Sequence, residues 1–592
     1  MGRPSLARLR SRLFIGVALA MVLVGWRYVF RPAAPADIRP ATSTPAVKPA
    51  AAPDSTAASC PIQLCDVTNE TGITFVHTDG SSGRRFIVEQ MSTGLATFDY
   101  DGDGLIDIYF PNGAPLPGAK FEHSPHHALY RNLGGGRFQD VTNAADVACT
   151  GYGLGIAIGD YDNDGFPDIY LNHFGPNVLY RNNGDGTFTD VTSAAGVARG
   201  DLVGAGVCFL DVDADGTLDL YVGNYITLDV QHHVPHLMNG FASYPSPLEY
   251  TPVPDTLYRN NGDDSFTDIS QEAGIAAYAG RSMGMISADY DNDGAVDVFV
   301  CNDVQENFLF HNDGHGHFQQ VANQVGVALN HNGEMLANMG VDAGDYNHDG
   351  LLDFYTTNYQ NQLPMLLKNL GHGLLENVAP TTNAGAAGFA YVNWGCGFVD
   401  FDNDGHPDLF LANGHTEDNI EQRDRNSAYR TWNVVLKNTG AGRFVDVSAP
   451  CGIRRTAVHS ARGVAFEDLD NDGDIDVVVL NSRERPTVLR NMLQESGSPN
   501  HWLQIRLRGV TANRDGVGAR VRVVAGDLVQ IDEVHSGRGY QSHWGSRLHF
   551  GLGPHDRVDR IEVRWLGGGT DLIENVRGDR LITIIQGSSP RS

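Results

Sequence analysis

A nine-residue acidic phrase recurs seven times along the 592-residue chain, and no other feature restricts its fold as tightly. The copies are DYDGDGLID (99–107), DYDNDGFPD (160–168), DVDADGTLD (211–219), DYDNDGAVD (289–297), DYNHDGLLD (345–353), DFDNDGHPD (400–408) and DLDNDGDID (468–476). Between them runs a second phrase: LYRNLGGGRFQDVT from Leu129, LYRNNGDGTFTDVT from Leu179, LYRNNGDDSFTDIS from Leu257, LFHNDGHGHFQQVA from Leu309 and LKNTGAGRFVDVS from Leu436, with a worn LKNLGHGLLENVA from Leu367. Alternation and turn chemistry read one such unit as four strands, for 154–192 LGIAIGD, DIYLN, VLYRN and TFTDVT, with the acidic loop and a Gly-rich hairpin turn between them. Repeated four-stranded sheets bury both faces by radial stacking, which predicts an all-β, seven-bladed β-propeller over 60–495. LCDVTNETGI (64–73) is a final-strand phrase without the preceding one, and the seventh unit ends at TVLRN (487–491) without a final strand. The first is expected to complete the second and close the ring; an open solenoid is the alternative.

Four carboxylates within nine residues repel one another unless a cation neutralises them. Oxygen ligands at loop positions 1, 3 and 5, a glycine at 6 for the bend and a closing carboxylate are how a short loop wraps Ca²⁺. Here the closing acid stands at position 9 instead of 12, between strands and not between helices. The expected ligands are Asp99, Asp101, Asp103 and Asp107; Asp160, Asp162, Asp164 and Asp168; Asp211, Asp213, Asp215 and Asp219; Asp289, Asp291, Asp293 and Asp297; Asp345, Asn347, Asp349 and Asp353; Asp400, Asp402, Asp404 and Asp408; and Asp468, Asp470, Asp472 and Asp476. Mg²⁺ fits less well because it keeps its waters, and zinc or copper would want imidazole or thiolate. About one Ca²⁺ per blade is expected, in a structural role. Asn347 keeps an oxygen but lowers the charge, so the fifth loop should bind most weakly.

The formal charge of -29 is set against 27 loop carboxylates, and it argues against a nucleic-acid reader, which needs Lys and Arg to displace counterions. The 69 glycines read as turns. At the N-terminus, Arg3, Arg8, Arg10 and Arg12 precede the apolar run LFIGVALAMVLVGW. Residues 1–31 thus read as an export signal, either cleaved or retained as a membrane anchor through 13–30, and 32–59 as a Pro/Ala-rich linker. The protein is expected to be exported, to the periplasm, cell surface or exterior, with the membrane touched only through that anchor. Cys60 and Cys65 either pair or remain thiols. Cys149, Cys208, Cys301, Cys396 and Cys451 sit in or beside repeat strands and read as core filling.

Residues 500–587 alternate in HWLQIRLRG, ARVRVVAG, RIEVRW and RLITIIQG, which predicts a separate small β domain. Arg506, Arg508, Arg520, Arg522, Arg538 and His543 make it locally basic: exposed strand faces, an anionic-glycan site or a docking surface for the ring. The insertion 226–255 holds His232, His233 and His236, a transition-metal set lacking a fourth ligand; a solvated loop is the simpler reading. Arg199-Gly200-Asp201 and Arg577-Gly578-Asp579 read as coincidences of a Gly- and Asp-rich chain. His415 and His459 have no visible nucleophile, and no hydrolase elbow, zincin helix, phosphate loop or dinucleotide fingerprint occurs.

The acidic loops resemble the FG-GAP or VCBS-type repeats of integrin-like propellers. NRDGVGARVRVV (513–524), GRGYQSHWGSRLHFGLG (537–553) and RIEVRWLGGG (560–569) resemble the ASPIC/UnbV domain. Together they resemble the cartilage-acidic-protein-like family over roughly residues 60–587. That resemblance implies an extracytoplasmic calcium-binding propeller used in adhesion or matrix-like contacts, without established catalysis, and its insertion often carries cysteines that this chain lacks. The expected function is an exported, non-catalytic scaffold for an unidentified extracellular protein or glycan. The alternative is an enzyme or enzyme-accessory protein with a site on the propeller face or the 226–255 insertion, signalled by His232 or His415 meeting convergent acids in a pocket.

Overall fold

A computed structural model describes residues 60–200 and 202–588, so the signal and linker expectations, and Asp201, lie outside the described residues. Seven consecutive units each hydrogen-bond four antiparallel strands. Unit 2 is typical, with strands Tyr152–Gly159, Asp168–Phe174, Val178–Asn182 and Phe188–Asp190. Unit 7 takes its outer strand from the start of the fold: Leu64–Asp66 pairs with Thr487–Asn491, Leu64 facing Asn491. The first strand of each unit packs against the first strand of the next, and Ala461–Glu467 of unit 7 packs against Ala96–Phe98 of unit 1, which gives a closed, propeller-like ring.

Two repeated residues make this closure possible, and both act between units. Five positions before each acidic loop stands a glycine, from Gly94 through Gly155, Gly206, Gly284, Gly340 and Gly395 to Gly463. A Cβ on Gly155 would lie 2.1 Å from Ala205 O, one on Gly340 2.4 Å from Trp394 O, and one on Gly463 2.7 Å from Gly94 Cα. The inner strands therefore touch backbone to backbone, which a side chain would forbid. Six of these glycines sit within strands and Gly94 just precedes one, whereas composition alone predicts turns.

The second device is the Asn that ends each third strand. Asn182 Nδ2 donates to Pro167 O of its own loop (3.2 Å) and to Tyr100 O, at position 2 of the preceding unit's loop (2.9 Å). Asn260, Asn312, Asn369, Asn438 and Asn491 repeat the link to Tyr161, Val212, Tyr290, Tyr346 and Phe401. Asn132 closes the circle, donating to Leu469 O of unit 7 at 2.8 Å. In an open solenoid Asn132 and Gly463 would have nothing to meet.

The C-terminal strands form a four-stranded and a three-stranded sheet; within the latter, His501–Arg508 runs parallel to Arg580–Ile585. This domain does not stand apart: with the ring it forms one compact unit. Its segment 535–547 runs down the ring axis and pairs with the inner strands. His543 N donates to Leu95 O (2.9 Å), Ile156 N to Gln541 O (3.1 Å), and Gly539 and Val341 exchange both backbone bonds. His535 Nδ1 meets Ser287 O at 2.7 Å, and Gly545 N donates to Glu467 Oε1 at 2.8 Å. Arg538 pairs with buried Asp342 (2.6 Å) and stacks on Trp544 (3.8 Å). Arg520, Arg538 and His543 are thus buried, which corrects the exposed-face reading for them.

Candidate functional site

Each acidic loop joins the first strand of a unit to the second, so all seven open on the ring face that carries the C-terminal domain. Position 6 is a left-handed glycine in every copy, with φ from +83° to +101°. Position 4 is left-handed as well: Gly102, Asn163, Ala214, Asn292, His348, Asn403 and Asn471 all have φ between +55° and +71°. Gly and Asn adopt that region readily, whereas Ala214 holds it at a steric cost.

Position 9 has a role beyond ligation. Asp107 Oδ2 accepts Tyr100 N (3.0 Å) and Oδ1 accepts Asn132 N (2.7 Å), so this buried carboxylate ties the loop to the third strand. Asp168, Asp219, Asp297, Asp408 and Asp476 repeat both bonds. Position 1 folds the bend from inside, Asp160 Oδ2 accepting Gly165 N at 2.7 Å. Position 5 faces outward and accepts the amide two residues on, as Asp164 does from Phe166 N at 2.9 Å.

Whether a cation fits can be judged from what these bonds leave over. Asp99 Oδ1, Asp213 Oδ1, Asp289 Oδ1, Asp402 Oδ1 and Asp470 Oδ1 are buried without a hydrogen-bond partner. One oxygen each of Asp99, Asp101 and Asp107 lie within 4.8 Å of one another, and likewise for Asp160, Asp162 and Asp168, and for Asp211, Asp213 and Asp219. Burial, then the neighbouring carboxylates, pushes Asp107 up to about 8; burial drives Asp211 and Asp468 to about 7. Clustered, orphaned, hard oxygen donors fit Ca²⁺, whose two charges would relieve both the repulsion and the burial. In the fifth loop Asn347 Oδ1 accepts Asp349 N as an aspartate would, and its Nδ2 faces Asp353 at 3.3 Å.

A basic residue from the third strand, unremarked in the sequence reading, lies over several loops. Arg131 meets Asp101 at 2.7 Å and Asp103 at 3.0 Å; Arg490 meets Asp470 and Asp472; Lys437 meets Asp402 and Asp404; Lys368 meets Asp349; His311 meets Asp291, Asp293 and Asp297. The C-terminal domain adds Arg506 at Asp99 (3.1 Å), Arg564 at Asp289 (2.9 Å) and Gln504 at Asp468 (3.0 Å). These contacts reach position 1 and fix the domain over the loops.

The opposite face carries the insertion, which is a strand pair and not a loose loop: His236–Met238 pairs with Phe241–Ser243. Ser243 Oγ and Tyr244 N bind Glu417 at 2.5 and 3.1 Å. The three histidines diverge, His232 to Asp229, His233 to Arg84 O and His236 to Glu249. Beside the hairpin a cavity of about 300 Å³ is lined by Met91, Tyr244, Met283, Met339, Trp394 and Glu417. His415 Nδ1 accepts Glu417 N, and burial, then Arg462 and Arg423, hold its pKa down to about 4. Glu417 is bound by Arg423 and Arg85 as well, so His415 faces an acid already committed to structure. His459 pairs with Glu484.

Cys60 and Cys65 are free thiols. Cys208, Cys301, Cys396 and Cys451 are buried as expected, whereas Cys149 is only partly buried and lies beside two histidines. Arg199 is held by Thr256 and Asp268, and Asp579 by His501.

Two family models match the chain: FG-GAP-like repeat at 99–171, 170–222, 250–300, 289–356 and 400–479, and "ASPIC and UnbV" at 509–591. Cartilage acidic protein 1 of Mus musculus is 26% identical over 512 residues, 81% of this chain and 71% of that protein. The Homo sapiens protein is 26% identical over 407 residues, 67% of this chain; the match spans 55% of the human protein's length. Among solved structures, the BP39L lectin from Burkholderia pseudomallei aligns with a TM-score of 0.42 at 10% identity, covering 67% of this chain and 95% of its own. An N-acetylglucosamine-recognising lectin of Agrocybe aegerita aligns at 0.36 and 18% identity, covering 60% and 79%.

Proposed function

Because the chain belongs to the family of FG-GAP-like repeat proteins with a C-terminal ASPIC and UnbV domain, we propose that it is an exported, non-catalytic scaffold whose acidic loops hold calcium and whose insertion-bearing face binds a protein or glycan. The observation that carries the reading is the contrast between its two faces. One is covered by the C-terminal domain, and its axis is filled by residues 535–547. The other presents the insertion, where Val234, Leu237, Met238, Phe241 and Leu248 are exposed (38–73%) beside the 300 Å³ cavity. Exposed apolar side chains clustered on an anchored hairpin mark an interaction surface.

Calcium, when bound, supplies charge neutralisation at oxygen donors of positions 1, 3, 5 and 9. The chain does the rest: position 6 bends the loop, position 9 ties it to the third strand, and the Asn latch ties it to the preceding unit. Loop order is thereby coupled to ring order, as ligand linkage requires.

The test is a glycan and protein binding screen on the full chain with calcium and with chelator, repeated for Leu237→Ser combined with Phe241→Ser. Saturable, calcium-dependent binding that the double variant loses, with no turnover, supports the reading. Binding unaffected by the variant, or product formed from any screened compound, contradicts it.

A further inference from the structure

The seven units can be overlaid residue by residue, so departures from the repeat stand out. Two residues after the last residue of the second strand that pairs with the third comes Asn112, Asn224, Asn302, Asn358, Asn413 or Asn481, and in unit 2 alone His173. The residue just before the third strand is Asn177, Asp255, Asn307, Pro364, Asn433 or Pro486, and in unit 1 alone His127. These two exceptions, from different units, meet. Their rings lie 5.2 Å apart, edge to face, and Cys149 of the segment linking the units joins them. One ring nitrogen of each histidine and the Cys149 sulfur all lie within 4.8 Å of one another.

The repeat also shows what His173 does beyond its structural duty. At other units the Asn amide donates to a carbonyl in the following turn, Asn302 to Glu306 O at 2.8 Å and Asn358 to Leu363 O at 2.6 Å. His173 Nδ1 reproduces that bond to Pro176 O at 2.8 Å. Its Nε2 is then surplus: it is buried, and no hydrogen-bond partner reaches it. An Nδ1–H held by a carbonyl fixes the tautomer with the Nε2 lone pair free, as in a metal-ligating histidine. His127 Nε2 donates to Gly151 O (3.2 Å), which fixes its tautomer with the lone pair on Nδ1, 3.4 Å from a Tyr109 Oη that itself donates to Val147 O. His127 and His173 are 0% and 2% exposed, and Cys149 is only partly buried, the one of the three that solvent reaches.

We infer that His127, Cys149 and His173 form a site for a single Zn²⁺-class late-transition ion bridging units 1 and 2, chemically separate from the hard-oxygen loops. Two imidazoles and a thiolate suit zinc, with a fourth position left for solvent. Both imidazoles bind a metal ion in their neutral form. The Cys149 thiol must bind as the thiolate, so the ion displaces its proton to solvent. Zinc bonds of about 2.0–2.3 Å require the three donors to close in slightly.

The experiment uses the full chain saturated with Ca²⁺, titrated with Co²⁺ as the probe and then with Zn²⁺. One Co²⁺ per chain, with thiolate-to-cobalt charge-transfer absorption that one Zn²⁺ removes, is expected. Cys149→Ser should abolish the band. His173→Asn and His127→Asn install residues the repeat uses elsewhere; each should weaken Zn²⁺ more than about tenfold, the lower bound for disturbing even an outer partner, without moving the calcium-saturated melting temperature. No band, a band surviving in Cys149→Ser, or affinity unchanged in both histidine variants overturns the site.

Discussion

Replacing Asn132 with Ala tests ring closure at the point where the ends of the fold meet. Its Nδ2 donates to Ile106 O at 2.9 Å and to Leu469 O at 2.8 Å, and its Oδ1 accepts Gly134 N at 2.9 Å. The side chain is buried, so alanine admits little water to the two carbonyls it abandons. Each lost bond is worth about 1 kcal/mol net, and a buried group left unpaired costs roughly 1–3 kcal/mol. Together they amount to about 3 kcal/mol, since the carbonyls retain part of their other hydrogen bonding. The bond to Leu469 spans 337 residues of sequence, so it is lost whenever units 1 and 7 separate. Urea unfolding in saturating Ca²⁺ should show a lower midpoint and an unchanged slope. Asn260→Ala, which breaks the same bonds between units 2 and 3, should cost a similar amount. A loss below about 0.5 kcal/mol for Asn132→Ala, an ordinary value for an unimportant surface site, would refute a ring closed by this latch.

Arg538→Met should cost about 4 kcal/mol, because Asp342 would remain buried without its guanidinium; thermal melts check the magnitude, and faster limited proteolysis of residues 535–547 checks that the axial segment is released. Ala214→Gly should stabilise by about 1 kcal/mol by removing a non-glycine from φ +57°, read as a higher urea midpoint. In chelator, stability should rise as pH falls from 8 to about 6.5: Asp107, Asp211, Asp297 and Asp468 are raised to about 7–8 in the folded state, so it binds protons that the unfolded state has released. Below about 6.5 the gain should slow, because buried His77, His173, His415, His543 and His549, depressed to about 3–4, charge only on unfolding and oppose the carboxylates, which keep their folded-state protons down to about pH 4–5. Melts across that range check both the gain and its slowing.

The acidic loops were legible because their information is local: nine residues carry the bend, the donors and the strand boundary, and the sevenfold recurrence excluded chance. The closing strand at Leu64 was legible because its phrase lacked a partner. The Asn latch was visible as a letter in LYRN yet not as a reason, since its second bond crosses to the preceding unit. The inner-strand glycines were hidden among turn glycines, because what excludes their Cβ belongs to a neighbouring unit or to the axial segment, far away in sequence. The axial segment escaped because 535–547 has neither alternation nor helical period, and its Arg and His looked like surface charge. His127, Cys149 and His173 each looked ordinary in sequence; only aligning the units against one another, position by position, would have marked the two histidines.

The most direct measurement is thermal unfolding of the full chain during a calcium titration, after complete removal of divalent ions. Each site should add about 2.7 kcal/mol at a hundredfold excess over its Kd, so the melting temperature should climb steadily with calcium and fall back on chelation. A melting temperature that stays the same with and without the ion would contradict the claim that the acidic loops are cation sites on which the ring's order depends.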